Sequence, residues 1–309
     1  MNILITGGNG FLGSELAIIA KKAYKGAIVL TPSKEELDLL DYAAVDKYFA
    51  ENNIQKVFHC AGKVSGMFGH NQSDDMYVNS VVGLNTVRAA YKYFVNSFVN
   101  IGSTCIYPKD CKAPVDESQL LQGAFEPSCS GMALAKSLVV KYLDSTFIDD
   151  IKFMTVMPPN IYGPGEPVKD HGNHCILDIM LKLHNAKVND LPTVELPGTG
   201  QAIRSFMHVQ DCAMAIVWCE QHNTEPIINI GSDIKCSIAE LVSIIADVVG
   251  YTGEIKFIGT KEQDGHPDKT EDITKLLTSI KYYNPCACIS LKDGIAQLYN
   301  YVLIVNNER

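Results

Sequence analysis

Two short stretches of this chain bring together side chains able to do chemistry. Gly102-Ser103-Thr104-Cys105-Ile106-Tyr107-Pro108 sets a hydroxyl and a thiol close together, directly after the apolar run Phe98-Val99-Asn100-Ile101. A buried strand surfaces at its carboxyl end in such a place, which is where open α/β sheets bind ligands. In Met132-Ala133-Leu134-Ala135-Lys136 the lysine follows the methionine by four residues, and the stretch continues as Ser137-Leu138-Val139-Val140-Lys141-Tyr142-Leu143. Positions 132 and 136 therefore share one face of a helix. Taken alone, the two stretches gather a hydroxyl, a thiol and an amine beside a cofactor.

The elements that must position them begin at the start of the chain. Ile3 to Thr6 reads as a strand, and Gly7-Gly8-Asn9-Gly10-Phe11-Leu12-Gly13 leads from it into a helix expected over Glu15 to Lys22. Glycines 7, 10 and 13 have the G-x-x-G-x-x-G spacing. It serves a tight turn, close backbone approach to a pyrophosphate, and a helix N-terminus whose free N–H groups face the phosphates. A glycine-rich turn without a ligand is the plainer alternative. The place between strand and helix, with a second strand Ala27-Ile28-Val29-Leu30 at βαβ distance, favours a bound dinucleotide. After that strand comes Thr31-Pro32-Ser33-Lys34, with no acid before Glu35. A hydroxyl and an ammonium suit a 2′-phosphate, so NADP(H) is expected over NAD, although Lys34 reads equally as a solvated surface residue.

Further strands are expected at Lys56 to Ala61, Val95 to Ile101 and Lys152 to Met157, alternating with helices that include Tyr42 to Ala50 and a long one through Arg88 to Tyr93. This alternation predicts an α/β fold, a doubly wound parallel sheet. Ala61-Gly62-Lys63-Val64-Ser65-Gly66 closes the third strand with small residues against which a flat ring and ribose can lie. Asn79 is polar within an apolar neighbourhood and reads as a bridge between backbone groups. Asn160-Ile161-Tyr162-Gly163-Pro164 follows two prolines as a rigid loop on the same sheet edge. Beyond it come Gly/Pro/His-rich loops, short strands, and helices at Cys175 to Asn185, Cys212 to Glu220, Ser237 to Val249 and Leu291 to Val302. Residues 1–163 and 206–230 are accordingly assigned to a cofactor-binding domain, and residues 164–205 and 231–309 to a smaller C-terminal α/β substrate lobe. Arg204 is placed to clamp a diphosphate. It also reads as an exposed surface arginine, because nothing local fixes the side chain.

Composition narrows the function classes. With 47% apolar and 20% charged residues the chain is an ordinary globular protein. Its formal charge of -9, with no basic stripe along a helix, speaks against nucleic acid as a partner. No apolar run reaches the roughly 18 residues of a membrane span. Met1-Asn2-Ile3-Leu4-Ile5 enters a strand at once without an export signal, so a cytoplasmic location is expected. The ten cysteines lack paired C-x-x-C spacing, which implies reduced thiols, no metal site and no disulfide framework.

Several segments together resemble the extended short-chain dehydrogenase/reductases, and within them the GDP-L-fucose synthases. They are Glu36-Leu37-Asp38-Leu39-Leu40-Asp41, Ala61-Gly62-Lys63-Val64, the Ser103 stretch, Leu120-Leu121-Gln122-Gly123, Glu126-Pro127, Asn160-Ile161-Tyr162-Gly163-Pro164 and Arg204-Ser205-Phe206-Met207-His208-Val209. The resemblance runs nearly end to end. It implies a Rossmann-like, NADP-dependent enzyme that epimerises GDP-4-keto-6-deoxy-D-mannose at two carbons and then reduces the 4-ketone. By that resemblance Ser103 hydrogen-bonds the keto oxygen, Cys105 removes the acidic proton beside it, and His174 returns a proton on the opposite face. Lys136 binds the nicotinamide ribose. Gly7, Gly10, Phe11, Leu12, Gly13, Ser33, Lys34, Asp41, Ala61, Gly62, Lys63 and Asn160 complete the expected cofactor site, and Lys182 and Arg204 the substrate site. A homodimer through a four-helix interface, built from helices around Asn79 to Tyr93 and Ser137 to Thr146, is also implied. Without the resemblance, Cys105 reads as readily as a small core residue, and a lone histidine is more often structural than catalytic.

Departures from the family's pattern carry as much meaning. Its catalytic tyrosine belongs four residues before the lysine, where this chain has Met132. A thioether donates no proton. Asn9 and Lys182 stand where arginines are common in relatives. Three expectations follow: reduction with Ser103, Thr104 or water as proton source, epimerisation with poor reduction, or a sugar-nucleotide-binding homologue without turnover. A related reductase or epimerase for a GDP-linked heptose or dideoxyhexose is the enzyme alternative.

Overall fold

The structure, a computed structural model, describes residues 1–63, 72–145, 151–168, 174–222, 224–279 and 288–307. Val64, Ser65, Gly66 and Thr146, named above, lie outside the described residues.

Alternation along the buried strands builds the first layer. In β1 (Asn2–Thr6), Ile3 and Ile5 turn to one apolar cluster and Leu4 to another. The same division recurs in β3 (Ile54–His59) and β4 (Ser97–Ile101), where Phe58 and Val99 face one cluster and Val57 and Phe98 the other. A sheet apolar on both faces must be covered on both. α1 (Phe11–Ala23) and α6 (Val209–His222) cover one side. α2 (Tyr42–Asn52), α3 (Gln72–Lys92) and α4 (Ser130–Asp144) cover the other.

With β2 (Ile28–Leu30), β5 (Lys152–Met157) and β9 (Ile227–Asn229) the sheet has six parallel strands in the order β2-β1-β3-β4-β5-β9. The expected Rossmann-like, doubly wound sheet is therefore present. The order reverses at β1, so the loops after β1 and β3 splay apart and leave a crevice at the carboxyl edge.

A further apolar cluster gathers α5 (Cys175–Val188), α7 (Ile238–Val249) and α8 (Leu291–Asn307). With them lie β7 (Thr193–Leu196), which pairs with β11 (Glu254–Phe257), and β8 (Ile203–His208). β8 is flanked by β6 (Asn160–Tyr162), β10 (Lys235–Ser237) and β12 (Asp268–Lys269). Among the described residues no helix is long and apolar enough to cross a membrane.

Two boundaries differ from expectation for a physical reason. α1 begins at Phe11 rather than Glu15, because the turn closes at Gly10, whose carbonyl already accepts Ser14 N at 2.9 Å. Gly13, counted with the turn, is thus a helical residue. α6 likewise begins at Val209, ahead of Cys212, directly where β8 ends.

Candidate active site

The loop after β1 fits a pyrophosphate. Gly7 lies at φ +67°, and a Cβ added there would come within 2.8 Å of the Ala61 backbone. A Cβ on Gly13 would sit 2.1 Å from the Gly7 carbonyl oxygen, so only glycine lets the helix start this close to the turn. Gly10 makes no side-chain cap, which leaves the first N–H groups of α1, at Phe11 and Leu12, for a ligand. Thr6 Oγ1 and His59 Nδ1 meet at 2.9 Å beneath, and Ala61 N donates to Thr6 Oγ1 at 3.3 Å. Burial, helped by the Lys136 charge, drives the His59 pKa down to about 3, so this support is a neutral imidazole.

At the rim, Ser33 and Glu36 exchange hydrogen bonds and Lys34 is exposed beside them. Asp41 caps α2, accepting from Ala43 N at 2.8 Å. Lys63 is ion-paired with Asp74 and Asp75. Asn160 ties β6 to β8 by donating to Ser205 O at 3.0 Å.

The reactive stretch leaves β4 at Ile101. Gly102 is held there by Gly102 N→Val156 O at 2.8 Å, and a Cβ would strike Met157 Sδ at 2.4 Å. Ser103 then caps a short 3-10 turn, Thr104–Ile106, its Oγ accepting Cys105 N at 3.3 Å. Lys136, one turn after Met132 on α4, donates to Ile101 O at 2.8 Å. Burial lowers its pKa, while the nearby Cys105 and Cys60 thiols act to raise it. Hydroxyl, thiol and ammonium thus meet at the carboxyl end of β4.

Asn79 joins the cofactor loop to that group. Its Oδ1 accepts Lys63 N at 2.8 Å and its Nδ2 donates to Lys63 O at 2.9 Å and Asp75 O at 2.8 Å. The expected backbone bridge is therefore real. The same amide nitrogen also lies 3.5 Å from Met132 Sδ.

Electrostatics separate Cys105 from the other thiols. The Cys105 pKa is lowered to about 7, chiefly by the neighbouring Cys129 thiol, with Ser103, Lys269 and Lys136 adding to the lowering while burial opposes it. Burial instead pushes the thiols of Cys60 and Cys175 up to about 12.

His174 lies at the N-terminus of α5, with its side chain 47% exposed and Nδ1 3.5 Å from Glu166 Oε1. Glu166 itself is only 3% exposed. Lys182 is held by Asp178 one turn earlier, at 2.8 Å. Arg204 is not the loose surface side chain that its setting in the sequence allowed. Its guanidinium donates to Ile203 O at 2.7 Å and Asp264 O at 2.9 Å, within a partly buried wall.

Reading the sequence missed Cys129, Glu166 and Lys269. None stands in a spacing motif; Cys129 and Lys269 bear on Cys105 from other elements, and Glu166 bears on His174 from the loop before α5.

The chain belongs to the NAD dependent epimerase/dehydratase family, whose model matches residues 3–231. It is an enzyme of the extended short-chain dehydrogenase/reductase type. GDP-L-fucose synthase of Escherichia coli is 36% identical over 319 residues, covering 97% of this chain and 96% of that protein. GDP-L-colitose synthase of Yersinia pseudotuberculosis is 31% identical, covering 99% of each. Among solved structures, a GDP-mannoheptose C4 reductase from Campylobacter jejuni with NADP bound superposes with a TM-score of 0.84 at 26% identity, covering 98% of each chain.

Proposed function

We propose that this enzyme takes NADP(H) and acts on GDP-4-keto-6-deoxy-D-mannose, epimerising it toward GDP-L-fucose, with the final ketone reduction weakened by Met132. One observation carries the reading: the Ser103 hydroxyl caps the turn that bears Cys105, and Lys136 is seated on the Ile101 carbonyl beside it, at the carboxyl end of β4. Full-length similarity to GDP-L-fucose synthase supports the sugar.

A ketone acidifies the C–H bonds on both sides of it. Ser103 donates to the keto oxygen and steadies the enolate that forms. Cys105, as thiolate, takes the proton from the neighbouring carbon. His174 returns one to the opposite face, which inverts the centre. The glycine loop, Ser33, Lys34, Asp41, the segment Ala61 to Lys63, Lys136 and Asn160 hold the dinucleotide, and Lys182 and Arg204 the GDP diphosphate. When bound, the reduced nicotinamide supplies a hydride. Met132 cannot protonate the ketone oxygen, so that proton comes from Ser103, Thr104 or water. Residues 164–205 and 231–309 form the substrate lobe. The outward faces of α3 and α4, with Tyr77, Tyr91, Leu134 and Leu138 exposed, form the four-helix contact of a homodimer.

Incubation with GDP-4-keto-6-deoxymannose in deuterated water, with and without NADPH, tests the proposal. Deuterium entering beside the ketone, with NADPH consumed slowly, is the expected result. Absence of both sinks it for this substrate. The relatives that bear heptose and colitose names favour a second reading, another GDP-linked 4-ketosugar, which the same assay separates.

A further inference from the structure

β9 ends on Asn229, a wholly buried residue. Its Oδ1 accepts the Tyr107 hydroxyl at 2.6 Å, and its Nδ2 donates to Val115 O at 2.8 Å and to Asp272 O at 3.1 Å. The backbone N–H of the same residue donates to Glu117 Oε1 at 2.7 Å. The acceptor and both donors of this one amide are thus taken up by stretches of chain far from it in sequence.

We propose that Asn229 is a positioning residue that fixes the turn bearing Ser103 and Cys105 at a set distance from the strand that carries Arg204. The inference rests on the proposed function, in which Ser103 and Cys105 act on the sugar and Arg204 holds its diphosphate.

The 3-10 turn is pinned at its start by Gly102 N→Val156 O and by Lys136 on Ile101 O. Its other end is Tyr107, which closes the turn through Tyr107 N→Thr104 O at 3.3 Å. The Tyr107 hydroxyl reaches past that closure to Asn229, so this bond sets where the far end sits. The donor side of the amide holds the segment that follows β12. Val115 N→Thr270 O at 2.7 Å and Asp272 N→Val115 O at 2.9 Å join that segment to the loop after Tyr107, and β12 pairs Lys269 with Arg204 of β8. A continuous path of hydrogen bonds therefore runs from Tyr107 through Asn229 and Asp272 to β12 and Arg204. Each bond is directional, and a buried partner left without one is costly. Leucine would match the shape of Asn229 and offer neither acceptor nor donor. A shift of about 1 Å at a reacting group can cost about 10²-fold in rate, so the length of this path bears on the chemistry.

The experiment compares wild type, Tyr107→Phe and Asn229→Leu with a control, Tyr251→Phe, which deletes another buried tyrosine's hydroxyl, bonded to Leu191 O at 3.0 Å in the cluster around α5 and α7. Deuterium exchange into GDP-4-keto-6-deoxymannose gives kcat and KM, and isothermal titration gives the Kd for NADPH. Tyr107→Phe frees one end of the turn, so kcat falls about tenfold with KM unchanged. Asn229→Leu frees the strand as well, so KM also rises about tenfold. NADPH affinity, and the rates of Tyr251→Phe, stay at wild-type values. A folded Tyr107→Phe with wild-type kcat overturns the proposal, as does an equal kcat loss in Tyr251→Phe, or an Asn229→Leu whose NADPH affinity falls as far as its KM rises. If Asn229→Leu does not fold, Tyr107→Phe decides. Should the wild type leave the ketosugar untouched, the proposed function fails and amide hydrogen exchange of the substrate-free protein decides the tether. Faster exchange over residues 103–107 in Tyr107→Phe upholds it, and unchanged exchange there overturns it.

Discussion

Asn79 Nδ2 reaches the thioether of Met132 at 3.5 Å, across the interface of α3 and α4, while the same side chain grips both backbone groups of Lys63. The residue in the family's proton-donor position is thus held beside the cofactor loop. Met132→Tyr places a phenol there, one turn before Lys136. The variant is expected to consume NADPH with the ketosugar about 10²-fold faster than wild type, with deuterium exchange unchanged. Stopped-flow absorbance of NADPH checks it. An unchanged rate would show that the proton already comes from elsewhere.

On the proposed reading Cys105 sets the pH response, because a base works only when deprotonated and its pKa is lowered to about 7. Deuterium exchange should therefore climb about tenfold per pH unit below that value and flatten above it. Cys105→Ser should lose the exchange at neutral pH, because an ordinary hydroxyl stays protonated. A profile flat from pH 5 to 9 would remove Cys105 from the step.

Glu166 is the buried partner of His174. A carboxylate 3.5 Å from Nδ1 holds that edge of the imidazole toward itself and so orients the ring. Glu166→Gln keeps the shape and removes the charge. On the proposed reading, deuterium entry with inversion should fall roughly tenfold, while exchange with retention, driven by Cys105 alone, persists. NMR of the isotopically labelled sugar distinguishes the two outcomes. Equal losses of both would point to a general structural role.

Far from the crevice, Glu220 accepts from Lys56, Tyr24 and Ser97 across the sheet and α6. Burial alone would raise its pKa, yet these partners bring it below the ordinary 4.5. A depressed carboxylate contributes stability that is present above its unfolded value and lost as pH falls through its folded value. Chemical denaturation should show that loss on acidification below about pH 5. Glu220→Ala leaves the Lys56 ammonium without its partner and should cost about 3 kcal/mol. The measurement is a urea midpoint at pH 7 compared with wild type.

The glycine turn and the parallel strands were legible because each depends on local spacing. Period and glycine placement are written in consecutive residues. The start of α1 was not, since Gly13 reads as part of a turn until the Gly7 carbonyl is seen packed against it. Nor was the hold on Arg204, whose anchoring carbonyl at Asp264 lies 60 residues away. Cys129, Glu166 and Lys269 share that cause. Their partners are neighbours only after the chain has folded.

Lys136 is tethered to the Ile101 main chain rather than to any side chain at position 132. Exchange of residue 132 therefore leaves the ammonium seated. On the proposed reading, position 132 can gain or lose the proton donor while Lys136 stays in register, so one side chain divides reduction from epimerisation on an otherwise unchanged scaffold.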